Sequence, residues 1–149
     1  IKIIEKWRSW KDTNLIYVDS SLNASLSGAL DDCIVEDNRY VPLDYKTRGS
    51  APRVGYSDFY KTQLDCYCLM LESAGYRTKN LAYLVYYWPK EVQGEGLFRF
   101  QVETASLKTN IGKAKQVFRD AIITLSEQIP KKNPGCEYCK LVEERKNVF

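Results

Sequence analysis

Apolar and polar positions along the 149-residue chain divide it into short strand-like runs and two longer helical patterns. Residues 15–18 form an apolar run suited to a strand, followed by a polar stretch over 19–23. Residues 26–35 and 39–47 are strand-like and are joined by the turn-prone Glu36-Asp37-Asn38. A loop rich in Gly, Pro and Arg follows over 48–55. The spacing of Phe59, Leu64, Tyr67 and Leu71 predicts a helix over 57–73, with Gly75 just beyond it. Residues 81–88 read as a buried strand stopped by Pro89, and 97–102 alternate as a half-buried strand does. A second helix is expected from about 109 to 128, with Ile111, Ala114, Val117, Phe118, Ala121, Ile122, Leu125 and Ile129 tracing one face and Pro130 ending it. This order of strands, helix, strands and helix predicts an α/β fold with a mixed sheet.

Length and composition fit one soluble domain over 1–149, with 130–149 as a tail carrying Cys136 and Cys139. The start at Ile1 suggests an N-terminally truncated fragment, and no signal peptide is visible. The longest apolar run, 81–88, falls short of the ~20 residues a bilayer span needs, so no membrane partner is expected. The five cysteines are an odd number in a domain of ordinary size and read as reduced thiols, which points to an intracellular, cytoplasmic setting. Histidine is absent. That excludes a Ser-His-Asp triad, a Cys-His dyad and imidazole zinc sites within these residues, and leaves carboxylates, lysine, tyrosine and thiols to carry any chemistry. A net charge of +3 does not by itself identify a polyanionic partner.

The stretch from Gly28 to Tyr67 is the most informative. With Asp37-Asn38 as a two-residue turn, Glu36 faces Arg39, Cys33 faces Pro42 and Asp31 faces Asp44. Opposed residues on one face have Cβ atoms ~4.5–5.5 Å apart, and like charges so placed repel. A divalent cation offsets that repulsion well. Asp32 would face Leu43 on the other side, so this register prefers Asp31, and a shift of one residue would reverse the choice. On the second strand Val41, Leu43 and Tyr45 form an apolar face expected in the core, while Tyr40, Asp44 and Lys46 share the opposite face. A carboxylate that holds a metal and an ammonium two residues on suit attack on a phosphodiester.

Gly28-Ala29-Leu30-Asp31, Asp44-Tyr45-Lys46 and Gln63-Leu64-Asp65-Cys66-Tyr67, taken in order, resemble the PD-(D/E)xK nuclease superfamily. The similarity is to its RecB-like branch, which includes nuclease domains of bacterial recombination machines and CRISPR-adaptation exonucleases. The resemblance implies a restriction-endonuclease-like core, with a mixed central β-sheet flanked by helices. It implies Asp31, Asp44 and the Tyr45 carbonyl as ligands of Mg²⁺ or Mn²⁺, and Lys46 as the catalytic lysine. Gln63 and Tyr67 match the branch's Q-x-x-x-Y motif, which helps to position the DNA and the site; their spacing places both on one helical face. Leu30 stands where some members carry proline, the histidine of an upstream helix has no counterpart, and Glu5 is a candidate extra acid.

The resemblance implies a metal-dependent deoxyribonuclease that hydrolyses DNA in repair and recombination, phage replication or CRISPR adaptation, alone or within a larger recombination or helicase assembly. A non-catalytic nucleic-acid-binding or scaffold module that keeps the fold is the rival, and an RNase or a domain active only inside an assembly is the third reading. Arg48, Arg53 and Lys61 are candidate phosphate contacts. Tyr83, Tyr86, Tyr87 and Trp88 are expected to serve strand packing rather than base stacking. Pro134-Gly135-Cys136-Glu137-Tyr138-Cys139 resembles the cysteine motif of the branch's iron–sulfur members. Cys33, Cys66 and Cys68 fall inside predicted core elements, so a complete cluster is not expected here.

Overall fold

The structure is a computed structural model and describes residues 2–11, 13–129 and 131–146. Its elements are helix α1 (Lys2–Arg8), strands β1 (Ile16–Asp19), β2 (Ala24–Ser27), β3 (Asp32–Glu36) and β4 (Arg39–Thr47), a 3-10 turn (Tyr56–Tyr60), helix α2 (Lys61–Ser73), strands β5 (Leu81–Val92) and β6 (Phe98–Lys108), and helices α3 (Ile111–Ser126) and α4 (Glu137–Lys146). The fold is mixed α/β. Its central sheet has the order β3-β4-β5-β6, with β4 and β5 parallel and the outer pairs antiparallel, and β1-β2 form a separate hairpin. Among the described residues no helix is long and apolar enough to cross a membrane.

The β3–β4 hairpin closes as its turn chemistry dictates. Asp37 and Asn38 both take left-handed φ values, 50° and 59°, which a two-residue type I′ turn requires and which Asp and Asn tolerate. The register is the expected one: Glu36 pairs with Arg39, Cys33 with Pro42 and Asp32 with Leu43. The apolar stretch 26–35 is not one strand, however. It breaks over 28–31, where Leu30 donates its N–H to the Trp7 carbonyl at 2.9 Å and buries its side chain in the core. Gly28 lets the Met70 methyl pack closely at the break, where a Cβ would lie 2.9 Å from it and the methionine end would have to shift.

The core lies on the opposite face of β4 from the one expected. Leu30, Leu64, Tyr67, Met70, Leu71, Ala82, Leu84, Tyr86 and Leu107 pack together with Trp7 and Leu15, and α2 covers this face. Asp44 and Lys46 pair with Leu84 and Tyr86, so they share the core face, whereas Tyr45 is 40% exposed. Val41 alone of the expected apolar trio is fully buried. Alternation within one strand separates two faces but does not say which one a helix covers. The neighbouring strand and α2 decide that. Truncating Leu64 or Leu71 to alanine would cost about 2–5 kcal/mol.

Other boundaries differ for local reasons. The helix expected over 57–73 starts with the tighter 3-10 turn, which leaves Phe59 80% exposed instead of on the buried face. It ends where Gly75, at φ 89°, lets the Tyr76 N–H reach back to the Leu71 carbonyl. Pro89 does not stop β5. Beyond Tyr87 the strand pairs with β6 alone, and the register slips between Pro89 and Glu91, a setting that tolerates a residue without an N–H. Helix α3 begins at its Asn110 cap, whose side chain accepts from the Lys113 N–H, but only Ala114 and Phe118 are buried. Val117 and Leu125 on the helix and Ile129 beyond it are exposed, contrary to the single buried face expected. Pro130 lies outside the described residues. Helix α1 was not anticipated; Trp7 anchors it, edge-on to Tyr40 and Tyr76.

Candidate functional site

Asp44 lies on β4 under α2 with 1% of its surface exposed. Its Oδ1 accepts from Gln63 Nε2 at 3.0 Å and from the Tyr67 hydroxyl at 3.4 Å. Gln63 Nε2 also donates to the Tyr67 oxygen at 2.6 Å, while Gln63 Oε1 accepts from Lys46 Nζ at 3.3 Å. The one-turn spacing of Gln63 and Tyr67 on α2 thus aims both at Asp44. Lys46 Nζ stands 2.5 Å from Asp44 Oδ2 and 4.6 Å from the centre of the Tyr60 ring. Asp44, Lys46, Gln63 and Tyr67 form one connected network.

Asp31 and Asp32 point different ways. Asp31 Oδ2 accepts from the Tyr45 N–H at 2.9 Å, which brings its carboxylate beside Asp44. Asp32 Oδ2 instead accepts from the Tyr45 hydroxyl at 3.2 Å and from Arg8 Nη2 at 3.1 Å, on the far face. Arg8 Nε also holds the Asp31 carbonyl at 2.7 Å, so α1 clamps the entry to β3. Glu5 pairs with Arg8 and does not join the carboxylates. Sequence reasoning missed Arg8, and only a helical Trp7-Arg8 spacing behind Ile3-Ile4 hinted at it.

Burial pushes the Asp44 carboxyl above the usual carboxylate range, against the opposing pull of Lys46; the nearby Asp31 adds to the rise. Burial likewise raises the Tyr67 phenol to about 12, so it remains a donor at neutral pH. Asp44 Oδ2 is buried and its one neighbour of opposite charge is the Lys46 ammonium at 2.5 Å. A buried carboxylate oxygen is costly unless a cation completes it, and here the lysine does so. Asp31 and Asp44 offer hard oxygen donors, which suit Mg²⁺ or Mn²⁺ better than softer metals. Among the described residues no three His, Cys, Asp or Glu side chains converge, so the two carboxylates would share a cation with backbone or water oxygens.

The other candidates are dispersed. Arg48 and Arg53 line a pocket in the loop after β4. Lys61 turns away, donating to the Lys108 carbonyl at 2.6 Å and to Asp65 at 3.3 Å. Tyr86 and Trp88 pack in or against the core, whereas Tyr83 and Tyr87 are half-buried on the opposite face. Cys136 and Cys139 flank the start of α4, where the Cys139 N–H meets Cys136 Sγ at 3.4 Å. Cys33 sits in β3, Cys66 and Cys68 in α2, and all five thiols are unpaired.

A search of the curated proteins and a search of the solved structures found no match. The mixed central sheet flanked by helices is consistent with a further finding: residues 2–143 match the model of the PD-(D/E)XK nuclease superfamily, and the chain belongs to that superfamily.

Proposed function

We propose that the chain is a Mg²⁺- or Mn²⁺-dependent deoxyribonuclease of the RecB-like type, hydrolysing phosphodiester bonds at the Asp31–Asp44 end of the hairpin. The observation that carries this reading is the meeting of Asp31, Asp44 and Lys46: the Asp31 carboxylate, held by the Tyr45 N–H, lies beside the buried Asp44, whose Oδ2 is met by Lys46 Nζ at 2.5 Å. Asp31 and Asp44 would hold the cation, with the Tyr45 carbonyl as a third donor. The chemistry a bound divalent cation supplies is polarisation of the phosphoryl oxygen and activation of water near neutral pH.

The remaining work falls to the chain's own side chains. Gln63 fixes Asp44 and Lys46 together, since its amide nitrogen donates to one and its oxygen accepts from the other. Tyr67 holds a proton on its hydroxyl and directs it at Asp44 Oδ1, which leaves Oδ2 as the oxygen for the cation. Lys46 neutralises Asp44 in the absence of a cation. Once the carboxylates are otherwise neutralised, its Nζ is free to orient water or to offset charge that develops on the phosphate. DNA is the proposed partner, within repair, phage replication or CRISPR adaptation.

The test is cleavage of end-labelled single- and double-stranded DNA with Mn²⁺, wild type beside Asp44→Ala. Cleavage by the wild type that chelator abolishes and the variant lacks is the expected result. Equal activity in both would reveal a contaminant, and a folded wild type inert on DNA and RNA would overturn the reading in favour of a non-catalytic module.

A further inference from the structure

The central sheet ends at β6, and among the described residues no strand pairs with its outer edge. Soluble proteins usually blunt such an edge with proline, lysine, a bulge or a very short strand. β6 has none of these where it is most exposed. It runs for 11 residues without proline, and its only lysine is the last residue, Lys108. The irregularity at 89–91 places its extra residue, Lys90, on β5 and leaves β6 regular. Phe98, Phe100 and Val102 alternate onto one face of β6 and are 57%, 52% and 47% exposed. β4 pairs with β5 only as far as Thr47 and Tyr87, so beyond that point β5 and β6 form a ribbon of two strands, which is marginally stable by itself. A long, regular edge that exposes apolar side chains is a template for a further strand.

The charge pattern on the other face of β6 selects that strand. Arg99, Gln101 and Glu103 are exposed there, and neither Arg99 nor Glu103 makes an ion pair among the described residues. Two copies of β6 related by a two-fold axis through the sheet must oppose residues of the same face. Centred on Phe100, the pairing sets Arg99 against Gln101 and Leu97 against Glu103. Centred on Val102, it sets Arg99 against Ala105 and Gln101 against Glu103. Centred on Gln101, Arg99 of each copy faces Glu103 of the other, so opposite charges meet twice. The same register lays Phe100 across from Val102 of the second copy, an aromatic and a β-branched side chain that pack well across strands. We propose that β6 is a homodimer edge, its residues 98–104 pairing antiparallel with the same residues of a second copy about Gln101, so that the two central sheets become one. Asp44 and Lys46 lie on β4, two strands from this edge, and take no part in it.

Analytical ultracentrifugation of the full chain over a wide range of concentration tests it. The wild type should pass from monomer to dimer as concentration rises. Arg99→Glu alone, or Glu103→Arg alone, turns both ion pairs into like-charge contacts and should weaken dimerisation about tenfold. An equimolar mixture of the two variants restores both pairs, so it should associate as tightly as wild type, and so should the doubly exchanged chain carrying Arg99→Glu with Glu103→Arg. That recovery separates lost pairing from lost folding, and circular dichroism melts of each variant check folding directly. A wild type that stays monomeric at its highest soluble concentration would overturn the proposal. Dimers of undiminished strength in both single variants would do the same, as would folded single variants that fail to recover on mixing. The outcome does not depend on the nuclease reading, since no arm of the experiment involves cleavage.

Discussion

Asp44 and Asp65 are buried alike, 1% and 0% exposed, and each has a lysine neighbour. Their partners differ in kind. Asp44 is held by the side chains of Gln63, Tyr67 and Lys46, all of which can rotate. Asp65 accepts from the Asn110 backbone N–H at 2.7 Å, and its partner Lys61 is itself tied to the Lys108 carbonyl. Asp65 thereby pins the junction between β6 and α3 to α2. A carboxylate with movable partners can exchange them for a ligand, whereas one fastened to backbone serves as a clamp. On the proposed reading, the same burial supports chemistry in one place and architecture in the other.

The largest expected effect is at Asp44. Asp44→Ala should abolish Mn²⁺-dependent cleavage in a chain that still folds, the loss of the acceptor shared by Gln63, Tyr67 and Lys46 being offset in part by removal of a buried anion beside Asp31. Lys46→Ala should lower the cleavage rate ~10²–10⁴-fold, the usual contribution of a positioned acid–base group, with metal binding retained by calorimetry. Asp65→Ala should show the reverse pattern: about 1–3 kcal/mol lost in denaturant unfolding, from the unpaired Asn110 N–H, with cleavage intact wherever the protein is folded. Loss of cleavage in a folded Asp65→Ala protein would break the distinction.

Asp19 sharpens it at the smallest scale. Hydrogen bonds from Ser21, with help from Arg119 on α3, hold its carboxyl below the usual range. A depressed folded value means that its stabilisation is present above the ordinary carboxylate pKa and is lost as pH falls through the lowered one. Asp19→Asn should therefore melt below wild type at neutral pH, with the gap closing on acidification through that window.

Some of this was legible before any coordinates, and the reasons are local. Asp37-Asn38 encodes a two-residue turn, so the register that pairs Asp32 with Leu43, one residue from Asp31 and Asp44, follows from neighbouring residues alone. Gln63 and Tyr67 share a helical face by spacing. The core face of β4 was not legible, because it depends on Leu84 and Tyr86 in a parallel strand and on α2. Phe59 was misplaced because helical periodicity assumes an α-helix from the first residue, and the chain opens with a 3-10 turn. Asp65 lay unnoticed inside the Gln63–Tyr67 motif, since its partner Asn110 is distant in sequence.

The tight turn at Asp37-Asn38 also bears on the order in which the molecule assembles. A hairpin of this kind closes in ~1–10 μs, whereas the parallel pairing of β4 with β5 must first close the intervening chain that contains α2. Asp31 and Asp44 are thus brought together by local kinetics before the helix bearing Gln63 and Tyr67 can dock. In that interval their repulsion is relieved only by ions from the solvent or by Lys46. Under the proposed cation site, a chain refolding in magnesium should have these charges balanced earlier than one refolding in chelator, and stopped-flow refolding in the two solutions would read the difference.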